Sequence, residues 1–286
     1  MTTADLMDRA HSVVAAGGAI YAARQTGLYR INVPGKERSL YSSWLPDQAM
    51  PTLALSIDDA SGLMLAGISG GVARSSDGGE SWLAIPLRSP APLVTCLAAA
   101  PGFTAGGCVL AGTFEDGVFR STDGGATWLA VNHGLFDHSI YALTLSPRFA
   151  EDRLAYAGTS SGIYASENGG RLWQDLSMPA GDDTVLSLAL AECGALYAGC
   201  ETQGLLRSSD NGNKWETLLE TDGAVNAIAL ADDSRIIAQV NDGVVGSSDG
   251  GLNWQETVAS DVDCIALADE SILLAMSDGS IRQEEW

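Results

Sequence analysis

Acidic and histidine side chains that could bind a ligand lie in the segments between the apolar runs of this chain. Carboxylates can bind hard cations or basic polypeptides because they offer anionic oxygens. No compact calcium-loop pattern is present. We therefore predict neither a metal site nor another cofactor, and we assign these residues to a rim that binds another protein through a basic contact segment. The predicted rim consists of Glu115, Asp116, His133, Asp137, His138, Asp182, Asp183, Glu201, Asp222, Asp242, Asp261 and Asp278.

Two histidines, His133 and His138, flank Asp137 in the segment 132–139. Such a pair could transfer a proton or bind a metal. A nucleophile or a third ligand is missing from the pattern, and the remaining histidine, His11, is distant in sequence. We interpret the pair as ordinary surface residues and predict no catalytic residues, so the protein is not expected to be an enzyme.

The charge of the chain excludes some classes of partner. Its 15 Lys and Arg stand against 36 Asp and Glu, for a net charge of -21. Phosphate backbones and anionic membrane surfaces require clustered basic residues, so nucleic acid is not an expected partner. Neither a secretory signal nor a membrane-spanning apolar run is visible, and the sequence predicts a cytoplasmic location without membrane insertion.

The cysteines do not form a recognisable pairing pattern. There are five, they include no CxxC pair, and most lie in apolar runs. The odd number and this placement predict buried, reduced thiols.

The elements that must position these residues are repeats. Five segments align without gaps, each with an apolar strand, a turn and a Trp. The turn is Ser-x-Asp-x-Gly in four of them and has Asn168 in place of the Asp in the other. The Asp can accept N–H bonds across a turn, the Gly can adopt positive φ, and the Trp can pack on a neighbouring repeat. The predicted turn residues are Ser75, Asp77, Gly79, Trp82, Ser121, Asp123, Gly125, Trp128, Ser166, Asn168, Gly170, Trp173, Ser208, Asp210, Gly212, Trp215, Ser247, Asp249, Gly251 and Trp254.

The pattern S-x-D-x-G-x-[ST]-W resembles the Asp-box, or BNR, repeat of sialidases, sortilin-type receptors, some endoglucanases and photosystem II stability and assembly factors. The second and third repeats match it fully. The fourth departs from it at Asn168 and Leu172, and the next two carry Lys214 and Asn253 in place of the small hydroxyl, so we expect weaker turns there. The resemblance implies a β-propeller and does not specify a function.

Four short strands in each repeat of about forty residues predict an all-β, seven-bladed propeller of four-stranded antiparallel blades. The whole chain is then one domain, with the last strand of the first blade around residues 41–45. The seventh blade lacks an outer strand, and an unpaired edge is a liability, so residues 2–7 are predicted to complete it and close the ring. The predicted blades are residues 11–46, 50–87, 92–132, 139–178, 183–220, 223–259, and 262–286 with 2–7.

Two functions fit this architecture. The first is a non-enzymatic scaffold that binds a protein or assembles a complex through its loop face. The alternative is carbohydrate binding or glycoside hydrolysis, which would use paired rim carboxylates or, in sialidase fashion, converging arginines. The recurring arginines precede the turns, away from that face, and we expect their heads to pair with carboxylates. They are Arg30, Arg74, Arg120 and Arg207.

Overall fold

The computed structural model describes residues 8–33, 36–41, 52–103, 107–179, 181–258, 260–268 and 271–285. The chain forms seven small antiparallel sheets, each hydrogen-bonded in the order of its strands along the chain. Six sheets have four strands and one has three within the described residues. The seven-bladed β-propeller predicted from the repeats is confirmed.

The first three blades contain twelve strands: β1 Ala10–Ala16, β2 Ala19–Arg24, β3 Gly27–Val33, β4 Lys36–Tyr41, β5 Thr52–Asp58, β6 Leu63–Ile68, β7 Gly71–Ser75, β8 Leu83–Pro86, β9 Val94–Ala99, β10 Val109–Thr113, β11 Gly117–Ser121 and β12 Leu129–Ala130. The fourth and fifth blades contain β13 Ile140–Leu145, α1 Phe149–Asp152, β14 Ala155–Thr159, β15 Ile163–Ser166, β16 Gln174–Leu176, β17 Val185–Leu190, β18 Leu196–Cys200, β19 Leu205–Ser208 and β20 Glu216–Leu219. The last two contain β21 Val225–Leu230, β22 Ile236–Val240, β23 Gly243–Ser247, β24 Gln255–Val258, β25 Val262–Ala268, β26 Ser271–Met276 and β27 Ile281–Glu285.

The ring is closed by contact between the seventh and first blades. Ala10 and Val13 share an apolar cluster with Cys264 and Leu273, and the Ala10 N–H donates to a carboxylate oxygen of Asp263 (3.3 Å). The seventh blade consists of β25, β26 and β27 within the described residues. The predicted outer strand at residues 2–7 lies outside the described residues.

Two local predictions need correction. The outer strand of blade 1 is β4, which begins at Lys36, because β3 continues to Val33 and the two residues pair; most of the predicted segment 41–45 lies outside the described residues. The connection from β13 to β14 contains the one-turn helix α1. Cys193 is exposed, because it lies in the turn between β17 and β18 and not in a strand.

Neighbouring blades approach closely at one recurring position in the second strand. A Cβ atom on Gly112 would lie 2.7 Å from Cγ2 of Ile140. Ile140 is the first residue of β13, which is the first, or inner, strand of the next blade. Gly67, Gly158 and Gly199 face the corresponding valines in the same way. None of these four glycines has positive φ. They are required for the close approach of two blades and not for a turn.

The recurring arginines join adjacent blades through backbone carbonyls. Arg74 Nε donates to the Gly124 carbonyl and Arg120 Nε to the Gly169 carbonyl, both at 2.8 Å. The expected pairing with carboxylates is therefore wrong for these two. It is right for Arg207, which bonds Glu216 (2.6 Å). The guanidinium of a strand residue thus reaches the turn of the next blade, on the face where those turns lie.

Candidate functional site

The four Ser-x-Asp-x-Gly turns and the corresponding turn of blade 4, which has Asn168 in place of Asp, form one face of the ring, and each is stabilised by its own side chains. In blade 3, Ser121 Oγ donates to Asp123 (2.8 Å) and accepts from the Gly125 N–H (2.9 Å). The same carboxylate accepts from the N–H (2.9 Å) and hydroxyl (2.5 Å) of Thr127. Corresponding contacts occur at Ser75–Asp77–Gly79, Ser166–Asn168–Gly170, Ser208–Asp210–Gly212 and Ser247–Asp249–Gly251.

The expectation of a weaker turn in blade 6 is wrong. Asn253 replaces the small hydroxyl, but its Nδ2 donates to Asp249 at 2.7 Å and its backbone N–H donates at 2.9 Å. In blades 4 and 5, Leu172 and Lys214 contribute their backbone N–H groups (3.0 and 2.7 Å). An amide donor can therefore substitute for a hydroxyl at this position, whereas an apolar side chain cannot.

The tryptophans that follow the turns pack against the preceding blade. Trp128 and Trp173 are buried in clusters with residues of blades 2 and 3 respectively. The indole N–H of Trp128 donates to the Gly125 carbonyl (3.1 Å), whereas that of Trp173 crosses to the Val131 carbonyl (2.9 Å). Each indole thus fills an interface between blades while its polar atom is satisfied.

Hydrogen bonding holds the turn carboxylates in the charged form. The hydroxyl and N–H of Ser81 lower the pKa of Asp77 to about 2, and the Asn253 amide and N–H lower the pKa of Asp249 to about 2. A carboxylate whose pKa is depressed in the folded state contributes stability above its unfolded pKa, and this contribution is lost as the pH falls through the folded value.

We expect the variant Asp77→Asn/Asp249→Asn to have a shallower acid dependence of stability than the wild type. The wild type loses two favourable charged contacts between about pH 4 and about pH 2, whereas the variant has no such groups to protonate. The measurement is Tm by circular dichroism across this range. Asp242→Asn/Glu201→Gln, which removes the same charge at the opposite face, should retain the wild-type slope. Parallel curves for the turn variant and the wild type would contradict the prediction.

The opposite face, here called the loop face, carries the connections from second to third strands and from each blade to the next. Several predicted rim carboxylates are fixed there by their own loops. Asp183 is buried and accepts from the N–H groups of Thr202 (3.0 Å) and Gln203 (2.9 Å). Asp278 accepts from the N–H and hydroxyl of Ser280 (2.9 and 2.6 Å), which lower its pKa. These carboxylates therefore order their loops and also give the loops negative charge.

Asp137 and Asp116 also have partners within the face. Asp137 accepts from the Ser160 hydroxyl (2.6 Å) and the Ser139 N–H (2.9 Å). Burial alone would raise the pKa of Asp137, but these bonds outweigh it and the pKa is lowered. Asp116 forms an ion pair with Arg88. The remaining predicted rim residues are exposed: Glu115, His133, His138, Asp182, Glu201, Asp222, Asp242 and Asp261.

The structure does not bring the rim residues into one compact set, because they follow the loops around the ring. Two recesses include rim residues. A cleft of about 260 Å³ between the loops of blades 5 and 6 is lined by Thr202, Gln203, Glu220, Thr221 and Asp222. A cleft of about 440 Å³ at blades 6 and 7 is lined by Val258, Ser260, Asp261, Met276, Ser277, Asp278 and Arg282. His133 and His138 differ in environment, since the His133 carbonyl accepts from Trp173 and the His138 carbonyl accepts from Gly117 (2.9 Å each). Within the described ranges, no three His, Cys, Asp or Glu side chains are grouped to hold a metal ion.

The sequence did not predict the β-bulges that lie at the loop-face end of the first, or inner, strand of each blade. Every inner strand has a register shift beside its second residue. Bulges redirect side chains and are frequent near functional surfaces. Apolar runs such as these give no sequence signal for a bulge. The residues at the seven shifts are His11, Leu53, Thr95, Tyr141, Leu186, Asn226 and Asp263.

The described part of the chain holds no helix with the length and apolar character needed to cross a membrane. Its single helix has four residues.

These features define a seven-bladed β-propeller with a turn face and a charged loop face. No protein-family model and no curated protein matches the chain. Among solved structures, YCF48 bound to D1 peptide is similar, with a TM-score of 0.75 and 15% identity over 98% of this chain and 93% of that chain. YCF48 from Cyanidioschyzon merolae has a TM-score of 0.71 and 15% identity, with coverage of 98% and 96%.

A GH74 enzyme from Niastella koreensis is also similar, with a TM-score of 0.72 and 16% identity over 96% of this chain and 52% of that chain. At such identities the similarity concerns the fold alone. The same ring occurs in a protein that binds a peptide and in an enzyme, so the fold does not decide between these functions.

Proposed function

We propose that this propeller is a non-enzymatic scaffold that binds another protein through its loop face. The observation that carries the proposal is the fixing of rim carboxylates on several blades: Asp137, Asp183 and Asp278 are each held by at least two donors from neighbouring loop residues. A carboxylate has about four acceptor sites, so Asp137 and Asp278 retain capacity for a partner. The buried Asp183 already accepts four bonds and serves to order its loop. Groups that are already oriented lose little entropy on binding.

The chemistry of the rim favours a basic partner segment. Acidic residues dominate both the chain and this face, with a net charge of -21 for the whole sequence. Charge complementarity speeds encounter and suppresses acidic competitors. The similarity to YCF48 bound to D1 peptide supports the proposal, since that propeller has nearly the same extent as this chain.

The proposal also assigns the five turns to the Asp-box type and gives them a structural role. The hydrogen bonds of their Ser and Asp side chains are made within each turn, and their glycines have positive φ. Arg74 and Arg120 hold the carbonyls of adjacent turns on the turn face. They are therefore engaged in joining blades, away from the rim where a ligand would meet the loops.

The test is affinity purification of the tagged protein from its own organism at low and high salt, with mass spectrometry of the bound proteins. The rim variant Asp182→Asn/Glu201→Gln/Asp222→Asn is compared with a turn-face variant of equal charge change, Glu167→Gln/Glu192→Gln/Asp233→Asn. All six residues are exposed. We expect one basic partner that is lost at high salt, reduced several-fold by the rim variant and retained by the turn-face variant.

Equal loss of the partner from both variants would show nonspecific attraction to charge and overturn the assignment to the loop face. Glycan-array binding by a purified protein that recovers no partner would overturn the scaffold proposal in favour of carbohydrate binding.

A further inference from the structure

We propose that the loop face binds an extended polypeptide segment through an apolar anchor seated at blades 3 and 4, with lysine or arginine beside the anchor. This inference rests on the proposed function and names the place and chemistry of its contact. The anchor site is formed by Leu93, Phe114 and Phe136, here called the aromatic sector.

The aromatic sector is exposed although its residues are large and apolar. Phe136 is 89% exposed, Phe114 is 44% exposed and Leu93 is 37% exposed. Exposed apolar residues that occur singly need no explanation, but residues grouped in neighbouring loops of a binding face indicate a contact site. Within the described ranges, the other large apolar side chains with high exposure lie in outer strands or turns: Leu83, Leu129, Leu172 and Leu252.

Hydrogen bonds join the three loops that carry the aromatic sector. The Phe114 N–H donates to the Leu93 carbonyl (3.0 Å), and the Gly117 N–H donates to the His138 carbonyl (2.9 Å). Asn132 adds two bonds, from its Nδ2 to the Asp116 carbonyl (2.9 Å) and from the Val118 N–H to its Oδ1 (2.8 Å). The three loops are therefore joined to one another on the loop face.

The loop that presents Phe136 is fixed by the residues before and after Phe136. Leu135 before it is buried, and Asp137 after it accepts bonds from Ser139 and Ser160. Gly134 adopts positive φ against the Trp173 backbone, where a Cβ atom would lie 2.0 Å from the carbonyl oxygen. An aromatic ring presented by a fixed loop can bind a partner without the cost of ordering that loop.

The charges around the aromatic sector specify the rest of the partner segment. Glu115 is exposed beside Phe114, Asp137 follows Phe136, and Asp116 is paired with Arg88. Three carboxylates and one guanidinium leave this part of the face negative. Lysine or arginine next to an apolar anchor would complement it, whereas acidic flanks would be repelled.

The probe is a displayed library of random peptides of about twelve residues, long enough to cross the three loops. It is selected on the wild-type protein, and a selected peptide is synthesised for affinity measurement. We expect an aromatic or aliphatic anchor beside Lys or Arg. Its affinity should fall at least about ten-fold on Phe136→Ala, as for an interface anchor. Leu252→Ala is the matched control, because Leu252 is 82% exposed on the turn face, and it should leave the affinity within about two-fold.

Both variants should keep the wild-type Tm, because exposed side chains contribute little to stability. A peptide that binds Phe136→Ala and wild type equally but is lost on the rim variant would overturn the aromatic sector while leaving the proposed function standing. Failure to select any peptide, together with failure to recover a cellular partner, would overturn both.

Discussion

Trp173→Ala should lower the free energy of unfolding by about 3–5 kcal/mol, the range for deletion of a buried indole. Trp173 is 2% exposed and belongs to an apolar cluster with Leu110 and Val118 of the preceding blade. Its removal also leaves the Val131 carbonyl without the indole N–H at 2.9 Å. The loss therefore combines a cavity between two blades with one broken hydrogen bond.

Urea unfolding followed by tryptophan fluorescence and far-UV circular dichroism measures this loss. The adjacent Leu172→Ala is the control, because Leu172 is 40% exposed and its truncation should cost less than about 1 kcal/mol. If the two variants were equally stable, the indole would not be part of the interface between blades 3 and 4.

The turns could be predicted from the sequence because their stabilising contacts are local. Ser121, Asp123 and Gly125 lie within five residues of each other, so their spacing alone determines which groups meet. The repetition of that turn, with four short strands in each repeat, also predicted the propeller. The prediction failed at Asn253, where we expected a weaker turn. The side-chain amide of Asn253 donates to Asp249 in place of the hydroxyl found in other turns.

Contacts between blades could not be predicted in the same way. The Arg120 bond to the Gly169 carbonyl joins residues 49 positions apart, and the sequence led us to expect a carboxylate as the acceptor. Two neighbouring apolar residues of one loop also differ in exposure, since Leu135 is buried and Phe136 is exposed. Hydropathy cannot separate them, because the difference arises from which way a fixed loop faces.

Gly199→Ala should lower the free energy of unfolding by about 2–4 kcal/mol, although glycine is not needed here for a left-handed backbone. The added Cβ atom would lie 2.2 Å from Ser187 Oγ and 2.6 Å from the Val225 carbonyl oxygen. These two atoms are hydrogen-bonded to each other at 2.9 Å, across the contact between blades 5 and 6. The substitution therefore overpacks the contact and disrupts the bond that satisfies a carbonyl.

A double-mutant cycle with Ser187→Ala separates these two effects in urea unfolding. Ser187→Ala alone loses only the hydrogen bond and should cost about 1 kcal/mol. In the double variant the hydroxyl no longer obstructs the new methyl group, so the combined loss should be smaller than the sum of the single losses. The Val225 carbonyl still opposes the methyl group, and the double variant should remain less stable than Ser187→Ala. Strictly additive losses would mean that the new methyl group does not meet the hydroxyl, and the blades would then have moved apart at this position.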